Sequence, residues 1–229
     1  MRRIDRPSPN HDARPDGAAI DMVVLHYTGM QSGEAALARL CDPAAKVSAH
    51  YTVDEDGTVY AMVPEERRAW HAGVSFWAGE ANVNARSIGI ELVNPGHEFG
   101  YRAFPSAQIK SLVALAHQIL ARHPIPAARV LGHSDVAPAR KDDPGELFPW
   151  AKLAEAGIGI FPRPPLGGRG QGEGALTADA LADFGYDPSA PREKVILGFQ
   201  RHFRPAKLDG IWDDECAGLL AGLLAASRV

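Results

Sequence analysis

Apolar side chains along this chain switch between strand-like and helix-like spacing, and the switches mark out its elements. The run Met22-Val23-Val24-Leu25 is rich in β-branched and aliphatic residues and predicts a buried strand that ends at His26. Ser32 then stands as the N-cap of a helix reaching Cys41. From Ser48 to Val63, two alternating runs flank Asp54-Glu55-Asp56-Gly57, a hairpin signal. Ser87 to Val93 reads as a second apolar strand, and Arg129-Val130-Leu131 as a third that ends at Gly132 and His133. Between them, residues 106–122 carry Ile109, Leu112, Val113, Leu115, Ala116 and Ile119 at helical spacing. Strands interleaved with helices predict an α/β domain over residues 1–160, a mixed central β-sheet flanked by helices.

The pattern breaks at residues 161–174, FPRPPLGGRGQGEG, where glycine and proline dominate and a linker is expected. Helical spacing returns at 177–184, 191–203 and 213–226, the last with Ala217, Leu219, Leu220, Leu223 and Leu224 on one side. Residues 175–229 are therefore expected to form a small all-α three-helix domain.

Composition narrows the function classes. A net charge of −4 gives no electrostatic reason to expect a nucleic-acid partner. No apolar run approaches the roughly 18 residues that a membrane span requires. Cys41 and Cys216 fall in different predicted domains and lack metal-type spacing, so neither a bridge nor a thiolate site is expected. The opening MRRIDRPSPNHDARPDG starts with the arginine pair Arg2-Arg3 and has no hydrophobic stretch after it, which predicts a cytoplasmic protein rather than a secreted one.

Two strand-end histidines and a turn aspartate supply the candidate chemistry. His26 and His133 each close an apolar run, and Asp143 lies ten positions after His133 in front of Pro144-Gly145, a turn that lets a carboxylate point back towards the strand. Together they can close three corners of a single zinc tetrahedron whose fourth corner holds an acidified water. Taken singly, a strand-end histidine is more often structural, and Asp-Pro-Gly is an ordinary turn.

The stretches VVLHYTGM, VSAHYTVDEDGTVYAMVPEERRAWHAGVSFW, SIGIELVNPG and LGHSDVAPARKDDPG settle which. In order and spacing they resemble the zinc-dependent N-acetylmuramoyl-L-alanine amidases of the AmpD and AmiD type. The resemblance covers roughly residues 15–155. It implies hydrolysis of the amide between the lactyl group of N-acetylmuramic acid, intact or 1,6-anhydro, and the L-alanine of a peptidoglycan stem peptide. It also implies His26, His133 and Asp143 as ligands of one zinc ion, and catalytic roles for Glu91 and Lys141.

Amide hydrolysis needs an activated water, a stabilised oxyanion and a proton for the departing nitrogen. A carboxylate in the apolar strand holding Glu91 is costly without a partner or a task. Glu91 is accordingly expected to move the proton, and Lys141 to hold the oxyanion or to share in the proton transfer. Trp70 and His71, on a predicted loop, and Asn84, in the segment before the glutamate strand, are the candidate substrate-binding residues. His50 is expected to support the site from a neighbouring strand, while His11, His97, His117, His123 and His202 are expected at the surface.

The segment VILGFQRHFRPAKLDGIWDDECAGLL resembles the three-helix peptidoglycan-binding module of wall hydrolases. It departs from that pattern at Arg204-Pro205-Ala206-Lys207, where a glycine-containing turn is usual; a helical cap on the amidase is the competing reading. A wall-binding module favours the periplasm or cell envelope over the cytoplasm. The partners expected are peptidoglycan or muropeptide fragments. The alternative function is a non-catalytic peptidoglycan recognition protein, which has no physical need for all five catalytic and ligand residues.

Overall fold

A computed structural model describes residues 1–162 and 176–227; most of the expected linker, residues 163–174, lies outside the described residues. The strands are β1 (Arg3–Asp5), β2 (His11–Ala13), β3 (Met22–Tyr27), β4 (Tyr51–Val53), β5 (Val59–Ala61), β6 (Arg67–Ala69), β7 (Ser87–Leu92) and β8 (Val130–Gly132). The helices are α1 (Gly33–Cys41), α2 (Val83–Arg86), α3 (Gly96–Phe99), α4 (Ser106–Arg122), α5 (His133–Val136), α6 (Trp150–Glu155), α7 (Leu181–Phe184), α8 (Arg192–Phe203) and α9 (Asp214–Ala226).

Six strands form one sheet in the order β1-β5-β4-β7-β3-β8, and β2 pairs with β6 separately. Only β4 and β5, the predicted hairpin, run antiparallel within the large sheet. The expected mixed sheet is therefore present. Strand β3 lies between β7 and β8, with His26 in register with Glu91. That register sets both side chains on one face, because residues paired across neighbouring strands point the same way.

Alternation along β3 and β7 divides the core in two. Val23, Leu25, Ile88, Ile90 and Leu92 face the helix α4, whose Leu112, Leu115, Ala116 and Ile119 are buried against them. Each such aliphatic side chain gains about 1.5–3 kcal/mol on leaving water. Met22 and Val24 face the other way, into a cluster with Leu131, Val136, Phe199, Phe203, Leu220 and Leu223. The C-terminal helices thus share an apolar cluster with the sheet instead of closing one of their own.

Local signals in the sequence explain several boundaries. Ser32 Oγ accepts the Ala35 amide and starts α1, as expected of that cap. Asp213 caps α9 by accepting the Cys216 amide. Gln200 of α8 fastens the following turn, donating to Asp209 Oδ1 and the Ile211 carbonyl and accepting the Asp209 and Gly210 amides. Arg204, where the expected glycine turn is missing, is buried and paired with Asp209 and Asp213. Both cysteines are free.

Candidate active site

The three strands that run parallel at the centre deliver their carboxyl ends to one place. His26 is the penultimate residue of β3, Glu91 that of β7, and His133 follows β8 directly. Side chains at such strand ends are fixed by the sheet yet open to a crevice, the usual position of a ligand site in parallel sheets. Asp143 joins them from the loop after α5, where the Ser134 amide donates to the Asp143 carbonyl at 2.9 Å. Gly145 completes the turn at a φ of 86°, and a Cβ there would lie 2.2 Å from the Tyr101 hydroxyl. Only glycine fits that close approach.

His26 Nδ1, His133 Nδ1 and one Asp143 oxygen form a triangle with sides of 3.0, 3.0 and 3.1 Å. Metal bonds of about 2.0–2.1 Å to a tetrahedral ion separate neighbouring donors by roughly 3.3 Å, close to these sides. All three groups are buried.

The surrounding hydrogen bonds assign the tautomers this needs. Ser87 donates its hydroxyl proton to the Val83 carbonyl at 2.7 Å, so its oxygen can only accept from His71 Nε2 at 3.2 Å. His71 Nδ1 is then bare and accepts from His26 Nε2 at 3.0 Å, which leaves the His26 Nδ1 lone pair facing the triangle. His133 Nε2 donates to the Ala72 carbonyl at 3.0 Å, with the same result for its Nδ1. Bare imidazole nitrogens beside a carboxylate, with their other nitrogens donating to fixed acceptors, are the arrangement a ligated metal ion requires.

Ionisation follows the same logic. Burial, reinforced by His133, lowers His26 to about 4, so it is a neutral donor at ordinary pH. Burial alone would raise the Asp143 carboxyl, but the imidazoles of His133 and His26 outweigh it and hold the group below the usual carboxylate range. Glu91 behaves oppositely. Burial first, and the Asp143 charge second, push its carboxyl well above the usual range, while Lys141 pulls the other way. One Glu91 oxygen is buried with no hydrogen-bond partner among the described residues.

The crevice is a cavity of about 380 Å³ lined by all three triangle residues together with Glu91, Lys141, Trp70 and His71. Arg39 of α1 and Arg140 also border it. Trp70 is half-buried at this wall. His71 is buried under His26, and its ring covers Gly89, where a Cβ would come within 2.4 Å. That contact explains the glycine in SIGIE. Asn84 Oδ1 is taken up by the His71 and Ala72 amides, so it braces the loop whose Ala72 carbonyl orients His133.

His50 accepts the Gly89 amide at 2.9 Å and supports the glutamate strand from beside β4, as expected. Burial, with Arg14 nearby, lowers its pKa to about 3. His202, expected at the surface, is instead buried and paired with Asp135 at 2.7 Å, because α8 packs on the sheet's open face. Sequence reasoning also missed a role for Ser87, although it opens the SIGIE stretch. It missed Asp135 too, although an acidic residue three positions after Gly132, at the start of a helix, is a capping signal.

The profile of the family described as N-acetylmuramoyl-L-alanine amidase matches residues 16–146, a span that contains every residue of the triangle as well as Glu91 and Lys141. The chain belongs to this family. As an amidase it is 40% identical to AmiD of Escherichia coli strain K12, over 90% of this chain and 82% of that protein. It is 36% identical to the 1,6-anhydro-N-acetylmuramyl-L-alanine amidase AmpD of Citrobacter freundii, over 66% of this chain and 87% of AmpD. Among solved structures, the E. coli AmiD complex with anhydro-N-acetylmuramic acid-L-Ala-D-γ-Glu-L-Lys superposes with a TM-score of 0.79 at 37% identity. It covers 92% of this chain and 91% of AmiD. AmpDh3 of Pseudomonas aeruginosa gives 0.81 at 34% identity, over 94% and 95% of the two chains. Among the described residues of this amidase, no helix is long and apolar enough to cross a membrane.

Proposed function

We propose that the amidase cleaves the bond between the lactyl carbonyl of N-acetylmuramic acid and the L-alanine nitrogen of a stem peptide, with one zinc ion held by His26, His133 and Asp143. The observation that carries this reading is the triangle itself: two lone pairs and a carboxylate oxygen, each fixed by a second hydrogen bond or by the fold, converge at an open crevice. Zinc at that point would acidify a coordinated water and polarise the scissile carbonyl.

The protein's own groups divide the remaining work. Glu91, across the register from His26, accepts the proton of the attacking water. Its raised affinity for that proton makes it a stronger base once ionised and then a competent acid towards the leaving alanine nitrogen. Lys141, which lines the same crevice, supplies positive charge where the carbonyl oxygen becomes an oxyanion. Trp70 offers a half-buried aromatic wall for a sugar or peptide face. His71 and Asn84 act underneath, His71 on the ligand His26 and Asn84 on the loop that orients His133.

The solved relatives bound to anhydromuramyl peptides support muropeptide fragments as the substrate class. The test is incubation of purified protein, with and without chelator, with defined intact and 1,6-anhydro muropeptides, and mass spectrometry of the products. Metal-dependent release of the free stem peptide is expected. Intact muropeptides after prolonged incubation with zinc would refute the assignment. Fractionation of cells producing the native protein decides between the cytoplasm and the envelope.

A further inference from the structure

The C-terminal helices touch the metal site's scaffold at two points that no part of the reaction explains. Asp135 is fully buried in α5, two residues after the ligand His133. One of its oxygens accepts the Gly132 amide at 2.7 Å, fixing the end of the strand that delivers His133. Two further donors to this carboxylate come from the C-terminal segment: the Tyr186 hydroxyl, between α7 and α8, at 2.7 Å, and His202 Nδ1 of α8 at 2.7 Å. His202 is itself clamped between Trp150 and Phe203, its ring 3.7 and 3.8 Å from theirs. A buried carboxylate with three donors and no exposure keeps one geometry, because losing any donor leaves charge unpaired in a low dielectric.

The second point is one residue away in the same helix. Arg201, largely buried, forms an ion pair with Asp142 Oδ1 at 2.9 Å, and Asp142 lies between Lys141 and the ligand Asp143. Consecutive residues of α8 therefore reach both chain segments that carry His133 and Asp143. The approach is close because α8 has a glycine at the contact: a Cβ on Gly198 would lie 2.7 Å from the Ser134 carbonyl oxygen.

We infer that α8 and the connection leading into it are a positioning element of the metal centre: His202 and Tyr186, through Asp135, and Arg201, through Asp142, hold the His133 and Asp143 segments at ligating distance. On this view the FQRHF stretch spends its polar residues on the catalytic scaffold and on its own turn, leaving them unavailable to a wall polymer. The inference rests on the zinc site proposed above.

The test measures the zinc dissociation constant by chelator competition, together with kcat, KM and Tm, in the full-length protein. Tyr186→Phe combined with Arg201→Gln removes one tether donor at each point while keeping most of the packing. Leu223→Ala, in the C-terminal part of the same apolar cluster, is the control for a purely structural effect. The double variant is expected to bind zinc about tenfold more weakly, the lower end of what outer-shell partners contribute. Its kcat falls more than its KM rises, and Leu223→Ala lowers Tm without moving zinc affinity. Unchanged zinc affinity in the double variant, with a Tm loss like that of Leu223→Ala, would overturn the inference. Should the double variant not fold, Tyr186→Phe alone, which keeps the ring, decides in the same way. A wild-type protein that takes up no zinc would instead remove the metal reading on which this rests.

Discussion

In the proposed mechanism Glu91 and Lys141 carry the part of the chemistry that belongs to the protein, and each has its own kinetic signature. Glu91→Gln keeps the shape of the side chain and loses its basicity, so zinc content is expected to stay at wild-type level while kcat drops at least about a hundredfold, the usual contribution of a general base. Wild-type turnover in that variant would take Glu91 out of the mechanism. Lys141→Ala is expected to lower kcat more than it raises KM, because it removes charge needed mainly in the transition state; steady-state kinetics with an effect confined to KM would make it a binding residue. His71 provides a third case. Removing its Nδ1 acceptor frees His26 to flip or retautomerise, so His71→Ala is expected to weaken zinc binding about 10–100-fold. Calorimetric titration with zinc checks this, and unchanged affinity would make His71 mere packing over Gly89.

At the scale of elements, the readable parts were those with short-range causes. His26 and His133 stood out because each ends an apolar run, and a strand end is recognisable from period and composition alone. Asp143 was legible through its proline-glycine turn, and α4 through its apolar stripe. The chain Val83-Ser87-His71-His26 was not, since four residues from separate elements meet only once β3 and β7 have paired in register. Nor could the sequence show that Asn84 spends its side-chain oxygen on backbone amides. A comparable clasp ties β4 to the end of α4: Glu65 accepts from Tyr51, Arg122 and His123. Burial opposes ionisation of Glu65, but those donors outweigh it and lower the carboxyl from 4.5 to about 2. A depressed carboxylate stabilises the fold fully above the unfolded value and loses that contribution as pH falls from 4.5 through 2. Glu65→Gln is therefore expected to flatten the pH dependence of unfolding free energy in that window, measured by denaturant titration. An unaltered slope would show that the clasp does not form.

For the whole molecule, the central point is that one face of the sheet is closed by α4 and the other by a catalytic cleft and the C-terminal helices together. The amphipathic patterns of residues 177–226 were visible in the sequence, but not what they cover. Met22, Val24, Leu131 and Val136 read as ordinary strand and helix residues until α8 and α9 are seen packed on the same cluster. His202 shows the cost of reading a histidine from its own helix: its partner, Asp135, is 67 positions away. The packing that buries it also sets α8 behind the ligand segments.

The account depends most on a metal ion at the His26, His133 and Asp143 triangle, and anomalous diffraction at the zinc edge from a crystal grown with zinc tests it most directly. The result expected is a single strong peak about 2.0–2.2 Å from His26 Nδ1, His133 Nδ1 and the Asp143 carboxylate, absent in His26→Ala. A zinc-soaked crystal with no peak there, or with the three side chains turned away from one another, would contradict it.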